Sequence, residues 1–449
     1  MRQTVERGVG DGQRRQKSGA EPGVVRVCHA SHRSREMSVM TTSGGTSRRS
    51  RIRTSSTANT DVAIASRVVA VTGATGPIGT AIIERLVTLP EVSKVIAIDS
   101  TRGDAGAIRP SDTNAGPGAS DPPTDHRANV VWRVTDISSP DLVRRLGRVD
   151  VVVHAAVDFN VETDPIARTQ INVGATRTVV TASAAAGVRR LVLITSAMVY
   201  GASVDNPLAI DEDAPLDAVP EGLLADLIEI ERIAVTSRAV HRGLEITVVR
   251  PAALVGPGID TMVTRHFAAP RLLKVRDAHP RWQFCHVDDL VSAVALLVSV
   301  PTSVDVPTDG STELPNAVNV GCDGWLEQDE VESLTGMHPI ELPTGLVFAA
   351  ASRLHRAGLT PAPASELTYL LHPWVVSATW LRSVGWVPAY DNAAALSELI
   401  DGLHGEHALA GHRFGRRDAT VAGASAAGAT VALIGAAALV RRARRARGF

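Results

Sequence analysis

The residues best placed to do chemistry are Gly73, Gly76 and Gly79, which punctuate TGATGPIG at 72–79, and Asp99, 20 residues beyond the last glycine. Gly73 can take backbone angles that a side chain forbids, so a strand can turn sharply there. Gly76 lets backbone come close to a pyrophosphate, and Gly79 lets the following helix lie against the sheet. Pro77 suits a first helical turn, where its missing N–H is no loss. The free N–H groups of that turn, with the helix dipole, form an anion site for a dinucleotide. Asp99 falls where a carboxylate holds ribose hydroxyls. A carboxylate also repels a 2′-phosphate, so NAD is expected rather than NADP.

The elements around these residues fit that chemistry. A short β-branched run at 68–71 precedes the glycines and reads as a buried strand. Apolar residues at helical spacing follow (Ile82, Ile83, Leu86, Val87), then a second strand at 95–98 that ends on Asp99. Further strands are expected at 130–134, 149–153, 190–195 and 245–249, with helices at 141–146, 169–186 and 223–242. Strands that alternate with helices predict an α/β fold, a Rossmann-type doubly wound parallel sheet with a smaller C-terminal lobe. Ligands then sit at the carboxyl ends of the strands, where Asp136, His154 and Ser196 fall.

The whole chain sets wide bounds. Its 449 residues, 44% of them hydrophobic, can bury a large core, and a net charge of −1 implies no nucleic acid partner. Three scattered cysteines (Cys28, Cys285, Cys322) form neither a disulfide framework nor a metal site and point to a reducing compartment. Residues 1–66 are polar, basic and aperiodic, which predicts a disordered tail without a secretory h-region. A natural start at Met37 or Met40 is an expectation that native N-terminal mass spectrometry would check. The Pro/Gly/Asp-rich stretch 101–129 reads as a surface loop.

At this point the chain resembles the extended short-chain dehydrogenase/reductase family, the NAD-dependent nucleotide-sugar epimerases and dehydratases, in an actinobacterial branch. The resemblance rests on TGATGPIG at 72–79, Asp99, Asp136-Ile137, HAA at 154–156, INVGAT at 171–176, TSAMVYG at 195–201, RPAALVGPG at 250–258 and HVDDL at 286–290, in the family's order over 67–390. It implies that Gly73, Thr75, Gly76, Pro77, Ile78 and Gly79 cradle the pyrophosphate. By the same resemblance Asp136 and Ile137 flank the adenine, while Ala155, Ala156 and Pro251 lie by the nicotinamide. Asn172 would brace a neighbouring helix, Ser196 would bond the substrate's reacting oxygen, and Arg250, His286 and Asp289 would belong to the substrate lobe. A small-molecule substrate and a homodimer are also implied.

One departure concerns the chemistry. The family carries a tyrosine as acid/base and, four residues on, a lysine whose charge lowers the phenol's pKa. Here that helix reads GLLADLIEIERIAV, and aligning Glu231 with the family's glutamate puts Leu223 and Leu227 at those two positions. No lysine occurs between Lys94 and Lys274, and Tyr200 is the only tyrosine between them. Tyr200 is therefore the tyrosine candidate, set against a structural role. His154 is a second proton carrier to weigh against packing, and Asp226 and Glu229 are to be weighed against a solvated helix face.

Residues 418–440 are almost free of charge for the length of a bilayer span and are flanked by arginines, which predicts a C-terminal transmembrane helix tethering a cytoplasmic domain. The expected partition is a basic tail (1–66), an NAD-binding core (67–300, lobe residues entering from about 250), a substrate lobe (301–405), a linker (406–417), the hydrophobic helix and a basic end (441–449). The functional reading is an epimerase- or dehydratase-like oxidoreductase acting on a nucleotide sugar or related polyol. The alternatives are a non-catalytic NAD sensor or scaffold at the membrane, and a steroid dehydrogenase/isomerase-like activity.

Overall fold

The computed structural model describes residues 66–103, 130–160, 163–301, 314–357 and 362–410. The N-terminal tail, most of the 101–129 insertion and the 418–440 segment lie outside the described residues. Among the described residues, no helix is long and apolar enough to cross a membrane.

The chain begins with strand β1 (Arg67–Thr72), helix α1 (Pro77–Leu86), β2 (Val92–Asp99), β3 (Val130–Val134), α2 (Leu142–Arg145) and β4 (Val151–His154). A short helix α3 (Pro165–Thr169) runs through one π turn (Gln170–Gly174) into α4 (Ala175–Ala185), followed by β5 (Arg190–Ile194), a 3-10 turn (Ala197–Tyr200), α5 (Leu223–Val240) and β6 (Glu245–Pro251). Then come β7 (Ala253–Val255), α6 (Met262–Ala268), β8 (Leu272–Val275), β9 (Arg281–Trp282), β10 (Phe284–His286), α7 (Val287–Ser299) and β11 (Ala317–Val320). The last elements are β12 (Leu326–Glu327), α8 (Gln328–Thr335), β13 (Pro339–Leu342), α9 (Thr344–Arg356), a 3-10 turn (Ala364–Leu370), α10 (Thr379–Ser383) and α11 (Asn392–Ala410).

Seven strands form one parallel sheet in the order β11-β6-β5-β4-β1-β2-β3. Its central strands are apolar throughout: Val69 to Val71 and Val151 to Val153 have no exposed surface. This is the pattern of a sheet covered on both faces. Helix α1 packs with α7, while α4 packs with α2 and α5. The winding direction reverses between β1 and β4, so the crevice beyond their carboxyl ends is the natural ligand site. Strand β11, drawn from the stretch read as substrate lobe, adds the seventh strand beside β6.

The smaller elements after β6 pair in short two-stranded sheets, β7 with β10, β8 with β13 and β9 with β12. They are fastened to the core by buried polar groups. Asp289 accepts the backbone N–H groups of Ala389 (2.6 Å) and Tyr390 (3.2 Å), and Asn392 accepts that of Phe284 (2.8 Å).

On the core side, Arg190 is 1% exposed and donates to the carbonyls of Leu297 (2.7 Å), Val300 (2.6 Å) and Pro301 (3.0 Å) while pairing with Glu245 (2.8 Å). The first two belong to the last turn and cap of α7, which leave carbonyls without helical partners. Replacing Arg190 by Leu leaves these carbonyls without its donors in the interior. We expect a loss of about 3–5 kcal/mol, read as a lower urea midpoint at unchanged slope.

Candidate functional site

The glycine turn sits at the end of β1. Gly73 has φ +74°, and a Cβ there would lie 2.7 Å from the backbone of Ala156, so this turn touches the loop leaving β4. A Cβ on Gly79 would lie 2.0 Å from the Gly73 carbonyl oxygen, which makes Gly79 the residue that lets α1 start against the strand. Gly76 differs, because its nearest neighbour for a Cβ is the Gly73 oxygen at 3.4 Å. Packing within the protein does not require a glycine at 76; close approach of a ligand does. Gly76 is also the N-cap of α1, with no side chain capping the helix, Pro77 following and no acid in the first turn. The first-turn N–H groups thus have no intrahelical partner, and no acidic side chain lies in that turn.

Asp99 closes the other side of this cradle. Its Oδ2 accepts from Thr75 N (2.9 Å) and Thr75 Oγ1 (2.7 Å), and its Oδ1 accepts from Ser100 N (2.7 Å). The carboxylate is thereby fixed beside the glycine turn and only half-buried. The end of β3 is tied to the same point, Thr135 N donating to Asp99 O (2.8 Å), with Asp136 and Ile137 in the turn just beyond. Asp136 is exposed and accepts Ser138 N (2.8 Å). These residues fit a dinucleotide: open backbone donors for a diphosphate, and a carboxylate at the ribose position.

The next strand ends carry the reactive half. His154 is fully buried, its Nδ1 2.7 Å from Thr72 Oγ1 and its Nε2 3.1 Å from Thr176 Oγ1. Burial lowers its pKa to about 4, so it is a neutral strut that links β1, β4 and α4. Ala155 and Ala156 follow it beside Gly73. Asn172 lies in the π turn, where a locally widened helix re-aims side chains. It accepts Asp158 N (2.8 Å) and donates to Asp158 O (3.1 Å), which clamps the loop after β4.

Ser196 follows β5 and caps the next 3-10 turn by accepting Met198 N (3.2 Å), so its own proton stays available to a ligand oxygen. It opens onto a mainly apolar cleft that Leu223, Pro251, Met262, Glu366 and Trp374 also line. Leu223 therefore occupies the wall where the alignment on Glu231 expected a tyrosine to stand.

Four residues expected at the site do not line this cleft. Arg250 is buried in a two-pronged pair with Glu231, Nε to Oε1 and Nη2 to Oε2, both 2.8 Å, and also donates to the Tyr200 hydroxyl (2.6 Å). Tyr200 in turn donates to Asn319 Oδ1 (2.9 Å). Burial pushes the phenol's pKa up, against the opposing pull of Arg250, so it resists losing its proton. His286 stacks on Tyr390 at 3.8 Å and accepts Asp288 N (3.2 Å), and Asp289 holds the Ala389–Tyr390 backbone. The polar atoms of these side chains bind other parts of the protein, and none of the four lines the cleft that Ser196 opens onto.

The two helix acids also separate. Asp226 is not on a solvated face: at 3% exposure it binds Arg168 Nε (2.9 Å) and Thr169 Oγ1 (2.7 Å). Glu229 bridges Arg177 and Arg232 near the surface.

Glu366 was not anticipated. It comes from the 3-10 turn before α10, is 4% exposed, and its Oε1 accepts the backbone N–H of Leu223 at 3.2 Å. Burial raises its pKa from 4.5 to about 7, against the Leu223 hydrogen bond and the charges of Arg168 and His355. Tyr369, three residues on, donates to Met198 O (2.7 Å) and so anchors this turn to the Ser196 turn. The only local sign of it is an acid at the head of an apolar run, ELTYLLHPWVV, because the contact with Leu223 spans 143 residues. Among the described residues no group of His, Cys, Asp and Glu could hold a metal ion.

Comparison with known proteins agrees with this geometry. The model of the "NAD dependent epimerase/dehydratase family" matches residues 69–321. An uncharacterized protein of Mycobacterium tuberculosis is 27% identical over 343 residues, covering 75% of this chain and 84% of the relative. Among solved structures, UDP-glucuronic acid 4-epimerase from Bacillus cereus in complex with NAD has TM-score 0.55 at 16% identity, covering 76% of this chain and 99% of that one. The dTDP-glucose 4,6-dehydratase DesIV from Streptomyces venezuelae, with NAD and TYD bound, has TM-score 0.54 at 19% identity, covering 76% and 98%.

Two outcomes follow from the glycine geometry and the buried acid. Gly76→Ala should fold normally yet bind NAD at least about tenfold more weakly, whereas Gly79→Ala should lose stability outright; melting and titration calorimetry separate the two. Because the protonated form of Glu366 is favoured in the folded state, its contribution to stability is present below pH 4.5 and is lost as pH rises to about 7. Relative to wild type, Glu366→Gln should therefore gain roughly 3 kcal/mol between pH 4.5 and pH 7.5, measured by urea unfolding at both.

Proposed function

Given that the chain belongs to the NAD dependent epimerase/dehydratase family, we propose that it is an enzyme that reversibly oxidises a secondary alcohol of a nucleotide sugar or a related polyol. The observation that carries this reading is the placement of Ser196. Its hydroxyl has an uncommitted proton in a cleft that begins at the end of β5 and is walled by Pro251 at the end of β6. The two solved neighbours, a UDP-glucuronic acid epimerase and a dTDP-glucose dehydratase, support the substrate class.

NAD, held by the Gly73–Gly79 turn and by Asp99, supplies the two-electron acceptor. The chain's own residues do the rest. Ser196 donates a hydrogen bond to the alcohol oxygen, fixing the carbon that reacts and stabilising charge as it develops on that oxygen. Ala155 and Ala156, packed against the glycine turn, stand on the side the resemblance gives to the nicotinamide. The apolar wall of Leu223, Pro251, Met262 and Trp374 excludes water, which strengthens each electrostatic contact inside. Leu223 stands where relatives carry the tyrosine of the tyrosine–lysine pair, so the proton is handled by another group. We further propose that 418–440 anchors the domain at a membrane and that the enzyme is a homodimer; the length of that segment, with Asp418 its single charge, supports the anchor.

Ser196→Ala tests the reading. With UDP-glucose, UDP-glucuronic acid and dTDP-glucose as probes, the wild type should convert at least one to an epimerised or dehydrated product. The variant should lose about 10²-fold in kcat while its Kd for NAD stays within about twofold. Undiminished turnover in the variant, or an NAD-loaded wild type inert towards the whole panel, contradicts the proposal.

A further inference from the structure

Oxidising an alcohol requires a group that takes the hydroxyl proton, and Ser196 is placed to donate rather than accept. Of the residues lining the cleft, Glu366 alone carries a carboxyl group. Its backbone lies in the C-terminal part of the chain, but its carboxyl is held at the head of α5, immediately beside Leu223. Gly222 makes that approach feasible: it has φ +57°, and a Cβ there would lie 2.6 Å from Glu366 Oε1. One carboxylate oxygen is engaged by Leu223 N–H, at the positive end of an 18-residue helix. Among the described residues, none donates a hydrogen bond to the other.

Resting on the function proposed above, we infer that Glu366 is the acid/base of this cleft, in place of the phenol that Leu223 displaces. In the oxidative direction the substrate O–H bond breaks, its electron pair stays on the substrate oxygen, and the proton forms an O–H bond on the Glu366 carboxylate. In the return direction the carboxylic acid gives that proton back. The surroundings poise the group for both. Burial disfavours the anion, while Leu223 N–H from α5, Arg168 from α3 and His355 from α9 favour it. Arg168 is itself neutralised by Asp226, so its pull is moderate. On the same turn Tyr369 stays protonated, and Ser365 holds the neighbouring Glu221 by a 2.7 Å hydrogen bond.

Glu366→Gln separates this role from a merely structural one, since the amide oxygen still accepts Leu223 N–H but cannot carry a proton. In the NAD-loaded full chain with the same three nucleotide sugars, the variant should fold and bind NAD within about twofold of wild type. Its kcat should fall at least about 10²-fold, the kcat limb near pH 7 should vanish, and Glu366→Asp should restore part of the rate. A Gln variant that keeps kcat within about threefold, or keeps the pH limb, overturns the inference. Infrared difference titration gives a reading free of turnover: a protonated-carboxyl band should disappear near pH 7 in the wild type and be missing from Glu366→Gln. If no such band titrates, the inference fails even in an active enzyme. If the band is present and sensitive to added nucleotide sugar while the wild type turns over none of the three, the fault lies with the proposed function, and Glu366 stands as the cleft's proton-binding group.

Discussion

The structure depends on how closely the first turn of α1 can approach the end of β1. A single methyl at Gly79 would lie 2.0 Å from the Gly73 carbonyl oxygen, well inside any real contact. Because that methyl is missing, the helix starts directly on the strand, its N–H groups converge on the crevice, and Gly73 meets Ala156 from the far side of the switch between β1 and β4. Asp99 and Thr75 then fix the turn from a third direction. The cradle is set before any ligand arrives, so binding need not order it.

Beyond the cradle, the protein sorts its polar side chains into those that hold the fold and those left for chemistry. Arg250, Glu231, Tyr200 and Asn319 satisfy one another in the interior, and Asp226 is spent on Arg168, Thr169 and Asn172. A buried charge without such partners would cost several kcal/mol. Paired in this way, the groups define one arrangement of strand ends and have little capacity left to meet a substrate. Ser196 and Glu366 are different: each makes one backbone hydrogen bond that fixes its position, and each faces a cleft walled by apolar residues.

Much of this was legible in the sequence because it is local. The Gly73–Gly76–Gly79 spacing, the distance to Asp99, and the β-branched runs that become β1 to β6 are all encoded within a few turns of chain. The sequence also holds no lysine between Lys94 and Lys274, whatever the register. What escaped is tertiary. Arg250 and Tyr200 stand 50 residues apart, and only the fold joins them through a hydroxyl. Asp226 reads as a surface acid because its burial is imposed by Arg168, 58 residues away. Glu366 belongs to a turn whose place in the cleft depends on Tyr369 reaching Met198, 171 residues earlier. The C-terminal elements are short and weakly periodic, so their positions follow from such contacts and not from pattern.

The central claim is that a dinucleotide binds across the start of α1 with its ribose held by Asp99. Titration calorimetry of the full chain, freed of any carried-over nucleotide, tests it most directly. The account predicts saturable heat with NAD at a single site and binding of NADP weaker by about tenfold or more, since the Asp99 carboxylate opposes a 2′-phosphate. Heat from neither coenzyme, in folded protein that carried none on purification, would contradict it.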